Sequence, residues 1–361
     1  MSAAPLRVGM VIGQLTTGGA EGQLRLLCEG FDSTRVLPTV YCMSDQIEPY
    51  GSLLESAGVP LRVLAGGRAG RVLALRRALA ADGIDVVHAW LFIANAYAWA
   101  ATRGGPPLIT SARNCKRSGR LLDGLNRRAF RASQAIIVNS AQVHAYIERE
   151  YDAPPQRIVV VYNAIDLERF RPRPPAATRR RPRVVMVGRL VAQKNPLLFV
   201  AAARDLLQRV PDVEFQLVGD GPLRGAVETA VRAAGLTDRI ELTGERRDVP
   251  ELLRDADLFW LTSDWEGLSN AIIEALASGL PVVATNVGGA ADLITAGQEG
   301  FLVTPGDRAA LVERSAAILA DAAALARMQA AARRRAGSFG LARTVAATEA
   351  VYARALGRRA A

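Results

Sequence analysis

The sequence contains few cysteines, and it has no apolar run long enough to cross a membrane. Its three cysteines, Cys28, Cys42 and Cys115, are odd in number and lie far apart, which fits neither a disulfide framework nor a metal-binding spacing. A reducing compartment suits them. No apolar run approaches about 20 residues, and the first residues lack a charged segment followed by an apolar one. We therefore expect neither a membrane span nor export, and we assign the chain to the cytoplasm.

Lysine and aromatic residues are also scarce, and this limits what the strong positive charge says about partners. The net charge is +10, which favours nucleic acid, an anionic membrane or an anionic substrate as a partner. Only two of the 45 basic residues are lysines, so the charge indicates a compositional bias towards arginine. Aromatic residues make up 6% of the chain and offer few platforms for stacking bases. We expect no nucleic acid partner, and an anionic membrane surface stays a hypothesis.

The length and the pattern of the chain predict two domains of the α/β class. Short apolar runs alternate with helical segments over residues 1–170 and again over 184–337. Such alternation predicts two Rossmann-like domains, each a parallel sheet with helices on both faces and ligands at the carboxyl ends of its strands. Residues 171–183, rich in proline and arginine, predict a linker. Residues 338–361 predict a last helix that crosses back to the first domain.

Two glutamates, Glu266 and Glu274, surround a predicted strand-to-helix turn in the second domain. The apolar run 258–262 predicts the strand, Ser269 is a good N-cap and Gly279 suits the end of the helix. A helix N-terminus that follows a strand presents free N–H groups and the positive end of the helix dipole, which suits a phosphate. Glu274, one turn into the helix, could accept hydrogen bonds from sugar hydroxyls. The alternative is a structural βα unit with two surface glutamates.

A second loop of the same kind carries two cations. Arg189 and Lys194 flank the start of a predicted helix with Asn195 as N-cap and Pro196 as its first residue. Two cations at a helix N-terminus indicate a diphosphate site. Because the chain uses arginine almost everywhere, Lys194 indicates a position that requires a compact point charge.

The first domain offers a glycine pair and a histidine at predicted strand ends. Gly18 and Gly19 precede a helix and would let the backbone approach a phosphate or another substrate group, although a tight turn explains them equally well. The loop lacks the Gly-Lys-Ser/Thr of a P-loop. His88 lies at the end of a predicted strand, from which it could hydrogen-bond a substrate hydroxyl; a structural histidine is the alternative.

Residues 113–131 combine basic side chains with an apolar stripe at nearly helical spacing. Leu121, Leu122, Leu125, Ala129 and Phe130 form the stripe. A basic amphipathic helix is a candidate for contact with an anionic bilayer, and a solvated helix packed on the sheet is the alternative. The acceptor and membrane candidates are Asn163, Arg113, Lys116, Arg117, Arg120, Arg127 and Arg128.

Eight short motifs, in this order along nearly the whole chain, resemble those of the retaining GT-B glycosyltransferases of family 4, also called glycosyl transferases group 1. Each motif alone is weak, whereas all eight in order across two βα domains are specific. They are Gly18-Gly19-Ala-Glu21, Asp85-Val-Val-His88, Val138-Asn139-Ser140, Asn163-Ala-Ile-Asp166, Val187-Gly-Arg-Leu190 with Lys194, Val218-Gly-Asp-Gly-Pro222, Glu266-x7-Glu274 and Val287-Gly-Gly289.

The resemblance implies that two domains close over a nucleotide-sugar held mainly by the second domain. Arg189 and Lys194 would bind the diphosphate and stabilise the leaving nucleotide, Glu266 would bind a hydroxyl of the transferred sugar, and His88 would lie beside that sugar. Glu274 would bind the ribose, while backbone N–H groups near the two helix starts would contact phosphate or sugar. The donor-binding residues implied are Gly18, Gly19, Gly188, Gly267, Leu268, Ser269 and Glu274.

The implied activity is retaining, metal-independent transfer of a sugar to a hydroxyl acceptor, in cell-envelope or exopolysaccharide synthesis. A UDP-sugar is the first choice of donor, and GDP-mannose is the alternative. The acceptor is a glycan that could be lipid-linked, with a small natural product as the alternative. We expect no cofactor and no metal. An epimerase or a phosphorylase on the same fold stays as a further alternative, as does a non-enzymatic basic binding protein.

Two departures from the family pattern bear on these expectations. Ala164 follows Asn163 where the family often has glycine, so a left-handed turn is not expected there. Asp292 stands where a glutamate is usual, and no catalytic role is assigned to it.

Overall fold

The computed structural model describes residues 4–174 and 181–357, which form two compact units. The first unit contains the described residues up to Ala164 and those from Leu341 onwards, and the second runs from Ile165 to Gly340. The second unit thus begins before the expected boundary at 170. The reason is local packing, since Arg333 donates to the carbonyl oxygens of Phe170 (2.8 Å) and Leu167 (3.1 Å). Residues 175–180 of the expected linker lie outside the described residues.

The first unit is built on a seven-stranded parallel sheet. Its strand order is β3-β2-β1-β4-β5-β6-β7. The strands are β1 (Leu6–Ile12), β2 (Val36–Cys42), β3 (Leu61–Val63), β4 (Val86–Trp90), β5 (Leu108–Ala112), β6 (Ala135–Val138) and β7 (Ile158–Val160). The helices between them are α1 (Gly19–Gly30), α2 (Tyr50–Ser56), α3 (Arg68–Ala81), α4 (Leu91–Ala101), α5 (Arg120–Ala132) and α6 (Ala141–Tyr151).

The second unit has a six-stranded parallel sheet in the order β10-β9-β8-β11-β12-β13. Its strands are β8 (Arg183–Val187), β9 (Glu214–Val218), β10 (Ile240–Gly244), β11 (Leu258–Leu261), β12 (Val282–Thr285) and β13 (Gly300–Val303). Its helices are α7 (Pro196–Leu207), α8 (Arg224–Ala233), α9 (Val249–Arg254), α10 (Asn270–Ala277), α11 (Ala290–Leu293), α12 (Arg308–Ala320) and α13 (Ala322–Ala336).

Both sheets are covered on their two faces, which explains the continuous apolar runs of their central strands. All five residues of β4 and all four of β11 are buried, as expected for parallel strands between two layers of helices. The strand order reverses between β1 and β4 in the first unit and between β8 and β11 in the second. In sheets of this kind ligands bind at the carboxyl ends of the strands beside such a reversal.

The last helix, α14 (Leu341–Ala355), belongs to the first unit, where it packs against α1. It begins three residues later than the expected start at 338, after a short turn at Gly337–Phe339. Within the described residues, no helix combines the length and apolar character needed to cross a membrane. The same residues contain no group of three or more His, Cys, Asp or Glu side chains that could hold a metal ion.

Candidate functional site

The turn between β11 and α10 has the local structure that the sequence predicts. Ser269 is the N-cap of α10, and its side chain accepts a hydrogen bond from the N–H of Ile272 (3.4 Å). Gly279 follows the helix with φ +76°, a left-handed conformation that glycine adopts without strain. Leu268 is buried and anchors the turn. The start of α10 is therefore held by packing and by its cap.

Glu266 lies in this turn, and its carboxylate is almost fully engaged by neighbouring side chains. Lys194 donates to Oε1 at 2.5 Å, and Ser263 donates to the same oxygen at 2.7 Å. Gln193 donates to Oε2 at 3.3 Å. The Glu266 side chain is 8% exposed and that of Lys194 is 18% exposed. The structure thus joins two residues that the sequence analysis assigned to the sugar and to the diphosphate.

The loop after β8 places the two cations differently. Lys194 ends a short 3-10 turn, and Asn195 caps α7 by accepting from the N–H of Leu198 at 3.2 Å, as predicted. Arg189 is exposed, and its side chain has no hydrogen bond or ion pair to the described residues. One cation is therefore neutralised by Glu266, while the other is free to meet an anion.

Glycines bring the site loops into close backbone contact. Gly288 has φ +59°, and a Cβ built on it would lie 2.1 Å from the carbonyl oxygen of Gly267. Gly219 has φ +134°, and a Cβ there would lie 2.0 Å from the carbonyl oxygen of Gly188. Only glycine fits these positions, for both conformational and steric reasons. The close approach fixes the backbone at Gly188 and Gly267, two of the implied donor contacts.

Glu274 lies one turn into α10 and is half-buried. Burial raises the pKa of its carboxyl group to about 7, while the charges of Arg169 and Lys194 act in the opposite direction. Its carboxylate has no hydrogen-bond partner among the described residues. A partly desolvated and unpartnered carboxylate is suited to accept hydrogen bonds from hydroxyl groups of a ligand.

In the second unit the structure brings Gly188, Lys194, Glu266 and Glu274 together. A Cβ on Gly188 would lie 3.4 Å from the side chain of Lys194, and the charge of Lys194 acts on Glu274. Cations and a helix N-terminus can stabilise negative charge on a leaving group, and the carboxylates can orient hydroxyl groups. This cluster can therefore bind a sugar linked to a phosphate.

His88 lies in the strand predicted for it, but its side chain is enclosed by the protein. The predicted strand over residues 85–90 is β4, and His88, expected to face a ligand crevice, is fully buried in it. Its Nδ1 is 2.8 Å from the Tyr352 hydroxyl and its Nε2 is 2.6 Å from Ser111 Oγ. Burial and the charge of Arg113 hold the His88 pKa well below its usual range. Both ring nitrogens thus have partners within the unit, and the contact with a sugar stays a prediction.

The start of α1 holds an acidic residue that the sequence analysis quoted but did not assign. Gly18 is the N-cap of α1 and Gly19 is its first residue. The carboxylate of Glu21 folds back over this start, since a Cβ on Gly18 would lie 2.2 Å from Glu21 Oε2. Burial raises the Glu21 pKa, and backbone N–H groups of Glu21 and Ala20 act in the opposite direction. A carboxyl group therefore lies at the helix start, in the region expected to approach the donor phosphates.

A cavity of about 1290 Å³, which we call the first-unit cavity, opens at the carboxyl ends of β1, β2, β4 and β5. Its wall includes Glu21 after β1, the segment from Trp90 to Ile93 after β4, and Lys116 after β5. Leu91 has φ +71°, an uncommon conformation for a residue with a branched side chain. Such backbone strain concentrates at functional sites.

Two of the acceptor candidates, Arg113 and Asn163, form a buried network behind this wall. The Arg113 guanidinium lies 3.9 Å above the ring of Trp90 and donates to Asn163 Oδ1 at 2.8 Å. Asn139 donates to the same oxygen at 3.4 Å. Burial lowers the Arg113 pKa to about 9. Ala164, next to Asn163, is not in the left-handed region, as expected.

The basic residues of the 113–131 segment separate into two groups. Arg117 pairs with Asp123 and Glu150, and Arg127 pairs with Asp152 at 3.7 Å. Another group is exposed and without an ion pair among the described residues: Lys116, Arg120 and Arg128.

The expected apolar stripe of α5 is divided as well. Ala129 and Phe130 are buried against the unit, whereas the Leu121 side chain is 73% exposed. The stripe is therefore not one lipid-facing surface, because its C-terminal half packs in the core.

Sequence reasoning missed several residues that contact the predicted ones. Gln193 and Ser263 hold the Glu266 carboxylate, and Arg169 acts on Glu274. Only Glu21 carried a signal in the sequence, as an acidic residue in the first turn of a helix that follows a glycine pair. The other residues could not be identified from the sequence, because their contacts form only when neighbouring loops come together in the fold.

Comparisons with known proteins identify the family of the chain. A family model described as Glycosyltransferase Family 4 matches residues 17–169, and one described as Glycosyl transferases group 1 matches residues 181–321. Among curated relatives, the chain is 36% identical over 171 residues to the UDP-Gal:alpha-D-GlcNAc-diphosphoundecaprenol alpha-1,3-galactosyltransferase of Escherichia coli, covering 44% of each. It is 36% identical over 138 residues to the 2-deoxystreptamine N-acetyl-D-glucosaminyltransferase of Niallia circulans, covering 38% of this chain and 36% of the relative. The alignments thus span less than half of these relatives.

Solved structures match over nearly the whole chain. HepE from Anabaena in complex with UDP matches with a TM-score of 0.83 over 94% of this chain and 97% of that chain, at 22% identity. A glycosyltransferase from Rickettsia africae matches with a TM-score of 0.87 over 98% and 99%, at 18% identity. At these identities the likeness shows the fold, which is GT-B. Together with the two family models, it shows that the chain belongs to glycosyltransferase family 4.

Proposed function

We propose that this protein is a retaining glycosyltransferase that moves a sugar from a UDP-sugar to a hydroxyl group of a cell-envelope or exopolysaccharide glycan. The observation that carries the proposal is the cluster of Lys194, Glu266 and Glu274 beside the start of α10, with Arg189 unpaired nearby in the chain. Family membership and relatives named for polysaccharide synthesis support it. A relative named for galactose transfer from UDP-Gal and a structural neighbour that holds UDP support the choice of UDP.

Within this proposal each residue has a chemical role. Lys194 and Arg189 stabilise the charge that develops on the departing diphosphate, a contribution on the order of a few kcal/mol per contact in a site without water. In this structure the Glu266 carboxylate holds the Nζ of Lys194. When the donor binds, Lys194 leaves this carboxylate and binds the phosphate instead. Glu266 is then released to accept a hydrogen bond from the sugar, and Glu274 accepts from the ribose.

Retention of the anomeric configuration and independence from metal belong to the same proposal. Two cations and a helix N-terminus supply the electrostatic stabilisation that a bound metal ion supplies in other transferases. We propose that the acceptor hydroxyl oxygen bonds to the anomeric carbon on the face from which the diphosphate leaves. The bond between that carbon and the diphosphate oxygen breaks, and the departing diphosphate takes up the hydroxyl proton.

A thermal-shift panel of nucleotides and nucleotide-sugars tests the donor. A ligand at about 100 times its Kd should stabilise the protein by about 2.7 kcal/mol. We expect UDP-sugars to raise the Tm by more than GDP-mannose at equal concentration. A larger shift with GDP-mannose would overturn the choice of nucleotide, and the absence of any shift would overturn the donor site itself.

The site of action is proposed to be the inner face of the cytoplasmic membrane. Lys116 and Arg120 are exposed without ion pairs among the described residues, and Leu121 is exposed beside them. Flotation with phosphatidylglycerol vesicles tests this placement. We expect the protein to float with these vesicles and not with neutral ones. Equal behaviour with both kinds of vesicle would contradict it.

A further inference from the structure

We propose that Arg169 is a further donor-binding residue, and that its guanidinium and the Glu274 carboxylate hold the hydroxyl groups of the donor's ribose between them. This inference rests on the proposed function and adds a second residue, with a chemical role, to the ribose site. Arg169 belongs to the segment that begins the second unit, outside the two loops that carry Lys194 and Glu266.

The segment that contains Arg169 lies against the C-terminal end of α10. One nitrogen of Arg333, Nη1, donates to the carbonyl oxygen of Phe170 at 2.8 Å and to that of Ala277, the last residue of α10, at 2.7 Å. Glu274 precedes Ala277 by less than one helical turn. Arg169, which comes directly before Phe170, therefore lies beside the part of α10 that carries Glu274.

The backbone of Arg169 is fixed, whereas its guanidinium is accessible. Asp166 Oδ1 accepts hydrogen bonds from the N–H groups of Glu168 at 2.9 Å and of Arg169 at 3.0 Å. The guanidinium carbon lies 5.7 Å from the centroid of the Phe170 ring, which is buried. The Arg169 side chain is exposed and makes no hydrogen bond or ion pair with the described residues. Its donors are therefore available to a ligand.

Arg169 and Glu274 interact through their charges but do not form an ion pair. Burial raises the pKa of Glu274, and of the two positive charges that oppose this effect Arg169 acts more strongly than Lys194. The charge of Lys194 is already compensated by Glu266 at 2.5 Å. Arg169 and Glu274 thus remain without partners among the described residues, and a ligand group between them would give both a hydrogen bond.

The chemistry of this pair selects for hydroxyl groups. A guanidinium only donates hydrogen bonds and an ionised carboxylate only accepts them, whereas a hydroxyl group does both at once. An anion would be repelled by Glu274 and a cation by Arg169. The two neighbouring hydroxyl groups of a ribose can donate to the carboxylate while their oxygens accept from the guanidinium, and each of these hydrogen bonds is strengthened by a charge. The pair therefore favours a nucleotide with an intact ribose.

Titration of the full chain with UDP and with 2′,3′-dideoxy-UDP tests the inference, at pH 9 so that Glu274 is ionised. The two probes differ only in the hydroxyl groups of the ribose. We expect the wild-type protein to bind UDP about tenfold more tightly or better, the size of one hydrogen bond to a charged group. Arg169→Ala should weaken UDP about tenfold and leave the affinity for the dideoxy probe unchanged. An equal loss for both probes would place Arg169 at the diphosphate and overturn the inference.

A second readout separates direct contact from an effect of charge alone. Without Arg169 the pKa of Glu274 should rise, so the midpoint of the pH dependence of UDP-glucose binding should move to higher pH. Arg169→Lys keeps the charge and should keep the midpoint, but it should lose part of the affinity because an ammonium group lacks the fork of donors. If the weaker UDP binding of Arg169→Ala disappeared at pH 9, Arg169 would act only by keeping Glu274 ionised, and its contact with the ribose would be refuted.

Arg171→Ala is the matched control. Arg171 is an exposed arginine two residues further along the same segment, and it is not among the charges that act on Glu274. This variant should bind both probes as the wild-type protein does. The double variant Arg169→Ala/Glu274→Gln should lose less affinity for UDP than the product of the two single losses, because both residues hold the same hydroxyl groups. Fully independent losses would contradict a shared ligand group.

The wild-type result separates this inference from the proposed function. If UDP and the dideoxy probe bind equally well, the donor site stands and the ribose contacts are wrong. If no nucleotide of the thermal-shift panel binds, the donor site and this inference are both wrong. If the panel selects GDP, the same test applies with GDP and 2′,3′-dideoxy-GDP, because the ribose is common to both nucleotides.

Discussion

Donor binding should strengthen as the pH rises through about 7, because Glu274 must be ionised to accept two hydrogen bonds from a ribose. Burial raises the pKa of this carboxyl group to about 7. The protonated form therefore dominates below that value and the carboxylate above it. At pH 6 roughly one-tenth of the molecules carry the carboxylate, and at pH 8 roughly nine-tenths do. If only the ionised form binds well, the Kd of a UDP-sugar should fall about tenfold between these pH values, or about 1.4 kcal/mol.

Isothermal titration with UDP-glucose at pH 6, 7 and 8 measures this dependence. Both phosphates of a nucleotide-sugar are esterified, so the ligand has no second phosphate ionisation in this range. Glu274→Gln should bind more weakly at pH 8 and show a flat profile. Glu313→Gln, an exposed glutamate on α12, should keep the wild-type profile. A profile that is flat in the wild type, or that persists in Glu274→Gln, would refute the role given to this carboxylate.

Further predictions concern stability and stereochemistry. Gly288→Ala should lower the free energy of unfolding by at least about 2 kcal/mol, because its Cβ would meet the Gly267 carbonyl oxygen at 2.1 Å. Gly297→Ala, at φ +80° with open space around it, should cost only about 1 kcal/mol by urea unfolding, and equal losses would contradict the close-packing argument. Because burial raises the pKa of Glu274, the contribution of this group to stability is lost as the pH rises from about 4.5 to 7. Glu274→Gln should therefore raise the Tm by about 2–4 °C at pH 8 but not at pH 4. A rise in Tm at pH 4 but not at pH 8 would count against burial as the cause of the raised pKa. NMR of the product should show the anomeric configuration of the donor, also in the presence of EDTA, and an inverted product would rule out the retaining mechanism.

The sequence predicts the fold because the physical signals are local and repeated. Apolar runs alternate with helical periodicity in both halves, which admits few arrangements other than parallel sheets with helices on both faces. Helix caps are local signals as well: Ser269 and Asn195 cap the N-termini of their helices, as their residue types predict. The boundary predicted at residue 170 lies later in the chain than the boundary of the second unit in the structure. Charge and proline content identify a segment that cannot pack, but they do not show that packing on the second unit already begins near Leu167 and Phe170.

The contacts that could not be predicted from the sequence join residues that are far apart in the chain. Lys194 and Glu266 are 72 residues apart, and their contact depends on β8 lying beside β11 in the sheet. A role could be predicted for each residue separately, but the ion pair between them could not be predicted. The strand 85–90 that contains His88 could also be predicted, but the burial of its side chain between Tyr352 and Ser111 could not, because Tyr352 lies 264 residues further along the chain.

The most direct test of the donor site is the release of UDP that depends on an acceptor. A lipid-extracted glycan acceptor and a UDP-sugar identified by thermal shift serve as substrates, with Lys194→Ala compared to Arg209→Ala, an exposed arginine in the same unit. We predict that Lys194→Ala lowers turnover by about 10²–10³-fold, the size expected for loss of one group that stabilises charge in the transition state. Arg209→Ala should keep full turnover. Undiminished acceptor-dependent release of UDP by folded Lys194→Ala would contradict the account.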